Sequence, residues 1–324
     1  MDPQTASDPR QDGFRHCALI HHTREEYLRG VSQYAEQGLE GGGPVIVAAP
    51  PQQLEAITAR LNGHAHALEL LDIYELGRNP AWIIPALQRR IEAHRGRHVY
   101  VMCEPLWPGR SPEEIEEVIL HEALCNRAFA THPLSWLCPF DAAALEWDVI
   151  EDAKRSHHLL AANGDGQANP DFSEEMFRER LEKLLPPLPF RGHRMSFSSL
   201  LLGALRTLVA EQAQAANLAP ARSADLVFAV NELATNSIRH GGGSGELELW
   251  ITPQRMIAEV RDRGRIADPL VGRINPDQDR FEGLGLWLVN QMCDLVQVRS
   301  GAAGTTVRVH LKRGHSAVTA QPLG

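Results

Sequence analysis

Between residues 16 and 140 five short apolar runs recur, separated by longer stretches with helical periodicity. The runs are HCALIHH (16–22), PVIVAAP (44–50), LELLDIYEL (68–76), HVYVMCE (98–104) and SWLCPF (135–140). Continuous apolar character, as opposed to strict alternation, belongs to strands covered on both faces, and a parallel sheet wrapped by helices supplies that cover. Segments such as REEYLRGVSQYAEQGL and PEEIEEVILHEALCNRAFA are long enough to be the crossover helices that parallel strands require. An α/β fold follows for this half, a parallel sheet with helices on both faces and with ligands expected at the carboxyl ends of its strands. GLEGGGP (38–44) precedes a strand, whereas a phosphate loop must follow one and open a helix; it also lacks the G-K-[ST] lysine, so it is a helix stop and tight turn.

The grammar changes between 161 and 192, where AANGDGQANPDF, a short charged helical piece and LLPPLPFRGH form a linker. Beyond it come helical patterns at 197–217 and 221–240, strands GELELWIT (245–252) and RMIAEVRD (255–262), a helix within EGLGLWLVNQMCD (282–294), and strands LVQVRS and TTVRVHL. Sequential strands with helices set apart indicate an α/β two-layer sandwich, one sheet with helices over one face. A length of 324 residues suits about two domains, expected at 13–160 and 193–314, with disordered tails at 1–12 and 315–324.

A formal net charge of −9 and the absence of a Lys/Arg cluster speak against direct nucleic-acid binding and for a protein or small-molecule partner. The polar N-terminus lacks an apolar signal region and no window approaches a membrane span, so no membrane association and a cytoplasmic location are expected. Five scattered cysteines without C-x2-C spacing argue against both a disulfide framework and a zinc finger; they read first as buried thiols.

In NELATNSIRHGGGSG (231–245), Glu232, Asn236 and His240 stand four residues apart and therefore share one helical face, while Leu233, Ala234 and Ile238 suit a core. The row is either a solvated face ending at a glycine stop or a working polar face. Three further features follow in order: VRDRG at a strand end (260–264), EGLGLWLV at a helix start (282–289) and GTTV entering a strand (304–307). Together, over about 195–312, these resemble the GHKL (histidine kinase-like) nucleotide-binding fold shared by gyrase, histidine kinases and the MutL repair proteins. Residues 232–240 resemble its N box, 262–264 its first glycine box, 283–285 its second and 305–306 its closing threonines.

That resemblance implies ATP and Mg²⁺ as cofactors. It implies Asn236 as the Mg²⁺ ligand, since Mg²⁺ prefers hard oxygen donors, and Glu232 as a general base. Asp262 would accept the adenine amino group, Gly264 would allow close approach, and Thr305 or Thr306 would complete the pocket. Gly283, Leu284 and Gly285 would present backbone N–H groups to phosphate at a helix N-terminus. His240 belongs to this set or simply caps carbonyls. Arg265 and Ile266 stand where a D-x-G-x-G box would supply another glycine, and the lid, 265–282, is short, implying weak nucleotide affinity and slow turnover.

Within the superfamily, a histidine kinase needs a phosphoacceptor histidine on a preceding dimerising helix. The helix at 197–217 has none, and His157 and His158 in KRSHHLL lack that context. The compact form is similar to the anti-sigma regulatory factors, implying a serine/threonine kinase that phosphorylates an anti-anti-sigma (STAS-type) protein or binds a sigma factor; relatives often dimerise, so a homodimer is also implied. A scaffold that sequesters its partner without catalysis is the alternative, and a sensor histidine kinase the third. In the first half, CEPLWPGR (103–110), HEALCNRAFA (121–130) and LCPFDAAAL (137–145) resemble the MEDS sensory domain of bacterial regulators, which implies a RecA-like fold without its phosphate loop and a small-molecule ligand. Glu104, Cys138 and Asp141 fall near strand ends, and His121 and Cys125 share a helix face. These are the candidate sensory residues. Cys103, His121, Cys125 and Cys138 are also candidates to meet around a metal or to act in redox sensing, the alternative being buried thiols.

Overall fold

The computed structural model describes residues 13–61, 63–161, 166–276 and 283–313; the tails expected at 1–12 and 315–324 lie outside them, as does the end of the lid from 277 to 282. The chain forms two compact units, 1–177 and 178–324.

The first unit runs β1 (Phe14–His21), α1 (Arg24–Glu40), β2 (Val45–Ala49), α2 (Pro51–Arg60), β3 (Leu68–Asp72), α3 (Ile73–Leu76), α4 (Ile83–Ala93), β4 (Val99–Cys103), α5 (Pro112–Ala128), β5 (Leu134–Asp141), α6 (Trp147–Ser156), β6 (Leu159–Ala161) and β7 (Gly166–Ala168). These strands make one sheet in the order β3-β2-β4-β5-β1-β6-β7. Strands β1 to β6 run parallel and β7 closes the edge antiparallel to β6. The run at 68–76 is thus shorter as a strand than its apolar pattern suggests, because the Asp72 side chain accepts from Tyr74 N and starts α3.

Local chemistry sets the helix starts. Thr23 accepts from Glu26 N at 3.2 Å while the Glu26 carboxylate accepts from His22 N at 2.8 Å. Ser111 and Glu114 form a reciprocal capping box at α5, with Pro112 in its first turn. Alternate strand residues Cys17, Leu19, Val45, Val47, Met102 and Leu137 pack with Tyr27, Val31 and Ile57 of α1 and α2. Their neighbours His16, Ala18, Val101, Cys103, Trp136 and Cys138 therefore face the other side, where α5 is buried continuously from Glu117 to Cys125. The glycine run ends α1: Gly41 donates to Gln37 O, and Gly42 takes the left-handed φ of 69° that favours glycine.

After α7 (Met176–Glu182) the second unit contains β8 (His193–Ser198), α8 (Leu202–Ala215), α9 (Pro220–His240), β9 (Ser244–Ile251), β10 (Arg255–Asp262), α10 (Leu284–Met292), β11 (Leu295–Gly301) and β12 (Gly304–Lys312). The sheet order is β11-β12-β10-β9-β8, antiparallel throughout. The helical pattern expected from 197 begins only at 202, because Phe197 belongs to edge strand β8, of which it is the one fully buried residue. Leu226, Ala229, Val230, Leu233 and Ala234 of α9 pack on Leu247, Leu249, Ala258, Val260, Val307 and Val309 of the sheet. Each fully buried Leu or Val there stabilises by about 1.5–3 kcal/mol.

The opposite face of this sheet is polar yet buried. Arg308 Nε donates to Glu259 Oε2 at 2.6 Å with both side chains almost wholly enclosed. Residues from the stretch read as linker supply partners there: Pro186 O accepts from Arg308, Phe190 O accepts from Trp250 Nε1, and Gly192 N donates to Glu248. The 186–192 segment is thus tied to the sheet, because buried arginine and indole donors need acceptors. Among the described residues no helix is long and apolar enough to cross a membrane.

Candidate functional site

The second unit's site is built where β10 ends, β12 begins and α9 finishes. Antiparallel register sets Asp262 directly opposite Thr305 and Arg261 opposite Thr306. The Asp262 carboxylate is fixed from two sides: Oδ1 accepts from Gly264 N at 2.7 Å, and Oδ2 accepts from Ser237 Oγ at 2.6 Å. Thr305 Oγ1 in turn donates to Gly264 O at 2.9 Å and lies 2.8 Å from Ser300 Oγ. Gly264 sits so close to the end of α9 that a Cβ would fall 2.5 Å from the His240 carbonyl oxygen and 2.9 Å from Gly241 Cα. Only glycine fits there.

At the other side, Gly283 adopts φ 83° as the residue that opens α10, a left-handed conformation natural to glycine. Two residues on, a Cβ on Gly285 would lie 2.7 Å from Glu232 Oε2 and 3.7 Å from Asn236 Nδ2. The missing side chain is what lets the start of α10, with the Leu284 backbone, meet the polar row of α9. Glu232 and Asn236 are partly buried on that row, whereas His240 at its end is exposed. The site thus brings together Glu232, Asn236, Gly283, Leu284 and Gly285 on one side and Asp262, Gly264 and Thr305 on the other. Thr306 lies on the same strand as Thr305.

In the first unit the five expected sensory residues occupy three settings. Glu104, just beyond β4, accepts from Tyr27 Oη at 2.7 Å, and burial pushes its carboxyl up to about 7, helped by the nearby Asp141 charge. Asp141 ends β5 and caps Ala143 N. His121 and Cys125 touch each other within α5, Sγ to Nε2 at 3.6 Å. Cys138 instead faces His16 and Glu122. The cysteines are buried thiols, as they first read, and the alternative metal grouping of Cys103, His121, Cys125 and Cys138 is not the one that forms; among the described residues Cys138 converges with His16, Glu122 and His157. His16 and Cys138 project from one face of adjacent strands toward α5. All five cysteines are buried free thiols, and burial raises the pKa of each. Trp107 packs under the Arg110 guanidinium at 3.5 Å and edge-on to Tyr74.

Residues 199–311 match the family model described as histidine kinase-like ATPase domain, and residues 15–158 match that described as MEDS, the MEthanogen/methylotroph, DcmR Sensory domain. The chain carries both domains. Among solved structures it is similar to the histidine kinase AdeS of Acinetobacter baumannii, at 15% identity and a TM-score of 0.24, over 39% of this chain and 70% of that one. It is also similar to the RsbU and RsbW domains of Rv1364c from Mycobacterium tuberculosis, at 17% identity and a TM-score of 0.27, covering 65% of this chain and 51% of that one. The chain therefore spans about half the length of that structure. No curated protein matches it.

Two residues of the ATPase domain escape motif reasoning. Ser237 holds Asp262, and its only signal is its place beside Asn236 in the N box. Ser300 accepts from Ile266 N at 2.8 Å and bridges to Thr305. The same contact accounts for the unusual first glycine box: Ile266 packs on the hydrophobic core, and Arg265 pairs with Glu182 at 3.2 Å. Ile266 thus anchors the segment after Gly264 to Ser300 and the core, while Arg265 makes an exposed ion pair.

Proposed function

We propose that the ATPase domain binds Mg-ATP and acts as a serine/threonine kinase of the anti-sigma type, phosphorylating an anti-anti-sigma (STAS-type) partner, sequestering a sigma factor, or both. The MEDS domain would supply control through a small-molecule ligand. The observation that carries this reading is the pair of opposed features in one domain: an aspartate clamped by Ser237 and Gly264, and a Glu232–Asn236 row packed onto a glycine-opened helix.

The donor set fits the cofactor. Each Asp262 oxygen keeps a lone pair beyond the bond it already accepts, so the carboxylate can still receive an amino group. Asn236 offers an amide oxygen to Mg²⁺, and Gly283, Leu284 and Gly285 offer orphan N–H groups at a helix start to phosphate. ATP, when bound, supplies the phosphoryl group. Glu232, one turn before Asn236, takes the proton from the attacking serine or threonine hydroxyl. Thr305 orders Gly264 beneath the base, and His240 stands at the exposed end of the row, beside Gly264. Phosphoryl transfer asks a protein mainly for positioning and charge, so a site of this size is sufficient.

Calorimetric titration of Mg-ATP tests the pocket. Asn236→Ala weakens binding tenfold or more, about 1.4 kcal/mol, while Glu232→Ala retains ATP and loses transfer to the partner. Equal affinity of wild type and Asn236→Ala rejects the assignment. The anchoring of the segment after Gly264, through Ile266, favours one rival: a scaffold that binds its partner without transfer. Partner binding by a wild type that takes up no ATP would establish that rival.

A further inference from the structure

In the MEDS domain four buried side chains from distant parts of the chain point at one centre. They are His16 on β1, Glu122 on α5, Cys138 on β5 and His157 directly after α6, and one ligand atom of each lies within 4.8 Å of the other three. All four are wholly enclosed or nearly so. Glu122 Oε2 lies 3.2 Å from His16 Nε2, 3.5 Å from His157 Nε2 and 3.3 Å from Cys138 Sγ; Cys138 Sγ lies 3.5 Å from His16 Nε2. A tetrahedral ion with ligand bonds of about 2.0–2.3 Å needs ligand–ligand edges of about 3.3–3.8 Å. These four edges are already at or close to that length.

The outer hydrogen bonds aim the same way. Asn126 Nδ2 donates to Ser156 O at 2.8 Å, which turns its Oδ1 toward His16 Nδ1 at 3.0 Å. The Ala153 carbonyl lies 2.6 Å from His157 Nδ1. Both acceptors require a proton on Nδ1, which leaves Nε2 of each imidazole facing the centre as the nitrogen available to a metal. Two imidazole nitrogens and a carboxyl thus converge with the Cys138 thiol, and His157 Nε2 and Glu122 Oε1 make no hydrogen bond. Orphaned acceptors at full burial are costly.

We propose that His16, Glu122, Cys138 and His157 bind one divalent cation of the zinc class, through two Nε2 atoms, one Sγ and a Glu122 oxygen. The charges close: a 2+ ion with a thiolate, a carboxylate and two neutral imidazoles is neutral overall, as a buried cluster must be. Starting from the protonated acid and thiol, binding releases two protons to solvent. Two nitrogens, one sulfur and one oxygen in a closed four-ligand set suit zinc over magnesium or calcium, which take oxygen shells. The ion would fasten β1, β5, α5 and the end of α6 to one another.

The full-length chain, stripped with chelator and reloaded, tests this with Zn²⁺ and Co²⁺. One zinc per chain should survive dialysis, measured by elemental analysis. The cobalt form should show strong tetrahedral d–d absorption together with a thiolate-to-cobalt charge-transfer band. Cys138→Ser abolishes that band and weakens zinc binding tenfold or more, whereas Cys125→Ser, one turn along α5 from His121, leaves both intact. Should Cys138→Ser fail to fold, X-ray absorption on the wild-type zinc form still decides, by showing one sulfur at about 2.3 Å beside nitrogens at about 2.0–2.1 Å. No retained ion, a zinc shell without sulfur, or a charge-transfer band that persists in Cys138→Ser overturns the proposal.

Discussion

Adding one methyl group at Gly264, and separately at Gly285, asks which glycine of the ATPase domain is structural and which merely leaves room for chemistry. At Gly264 the new Cβ would meet the His240 carbonyl oxygen at 2.5 Å, Gly241 Cα at 2.9 Å and Asp262 Oδ1 at 3.0 Å. The first two are backbone atoms at the end of a helix that is itself packed on the sheet, so they move only if β10 and α9 separate. Overpacking of this kind costs about 1–3 kcal/mol, or roughly a five- to 150-fold rise in local opening. At Gly285 the nearest atom is the end of a flexible side chain, Glu232 Oε2 at 2.7 Å, with Asn236 Nδ2 next at 3.7 Å. Glu232 can rotate away, so Gly285→Ala should cost less than about 1 kcal/mol while weakening the Mg-ATP binding proposed for this site. Hydrogen exchange by mass spectrometry on the full-length chain, following β10 and the last turns of α9, reads the first effect; Mg-ATP calorimetry on both variants reads the second. Unchanged exchange in Gly264→Ala with wild-type ATP affinity would refute the steric reasoning, as would equal destabilisation by the two substitutions.

Ser237→Ala removes the hydroxyl donor to Asp262 and should weaken Mg-ATP binding by about 1.5–3 kcal/mol, the range for bonds to charged groups; calorimetry with an unchanged Kd contradicts it. Arg308→Met leaves Glu259 buried with one partner fewer and should cost about 3–5 kcal/mol in urea unfolding, with much of the loss recovered in Arg308→Met/Glu259→Leu. Glu104 has a folded pKa of about 7 against an ordinary 4.5. Its contribution is complete below pH 4.5 and declines as pH rises toward 7, so the MEDS domain loses about 3 kcal/mol across that window. Glu104→Gln should flatten the decline when urea midpoints are compared at pH 5 and pH 8, and an unaltered slope would assign it to another group.

What the sequence determined alone was local. Apolar runs without alternation marked strands of a parallel sheet, and these are β1 to β5, although β3 at the edge is only half-buried. Spacing of four placed Glu232 and Asn236 on one side of α9, because helical periodicity is fixed by the backbone itself. Glycines at 264, 283 and 285 were legible because close approach and left-handed backbone leave few other residues possible. Edge strand β8 was not legible, since one buried phenylalanine gives no period to read. Nor was the fastening of 186–192 to the polar sheet face, which depends on where Arg308 and Trp250 emerge after β9, β10 and β12 have paired. Ser237 became visible as a partner of Asp262 only once α9 had crossed the end of β10. Most of all, no spacing links residues 16, 122, 138 and 157. Their meeting is set by strand order, which puts β1 beside β5, and by the packing of α5 and α6 over that pair. Local periodicity records which way each side chain points from its own element; which elements become neighbours is decided by burial of the whole apolar surface at once.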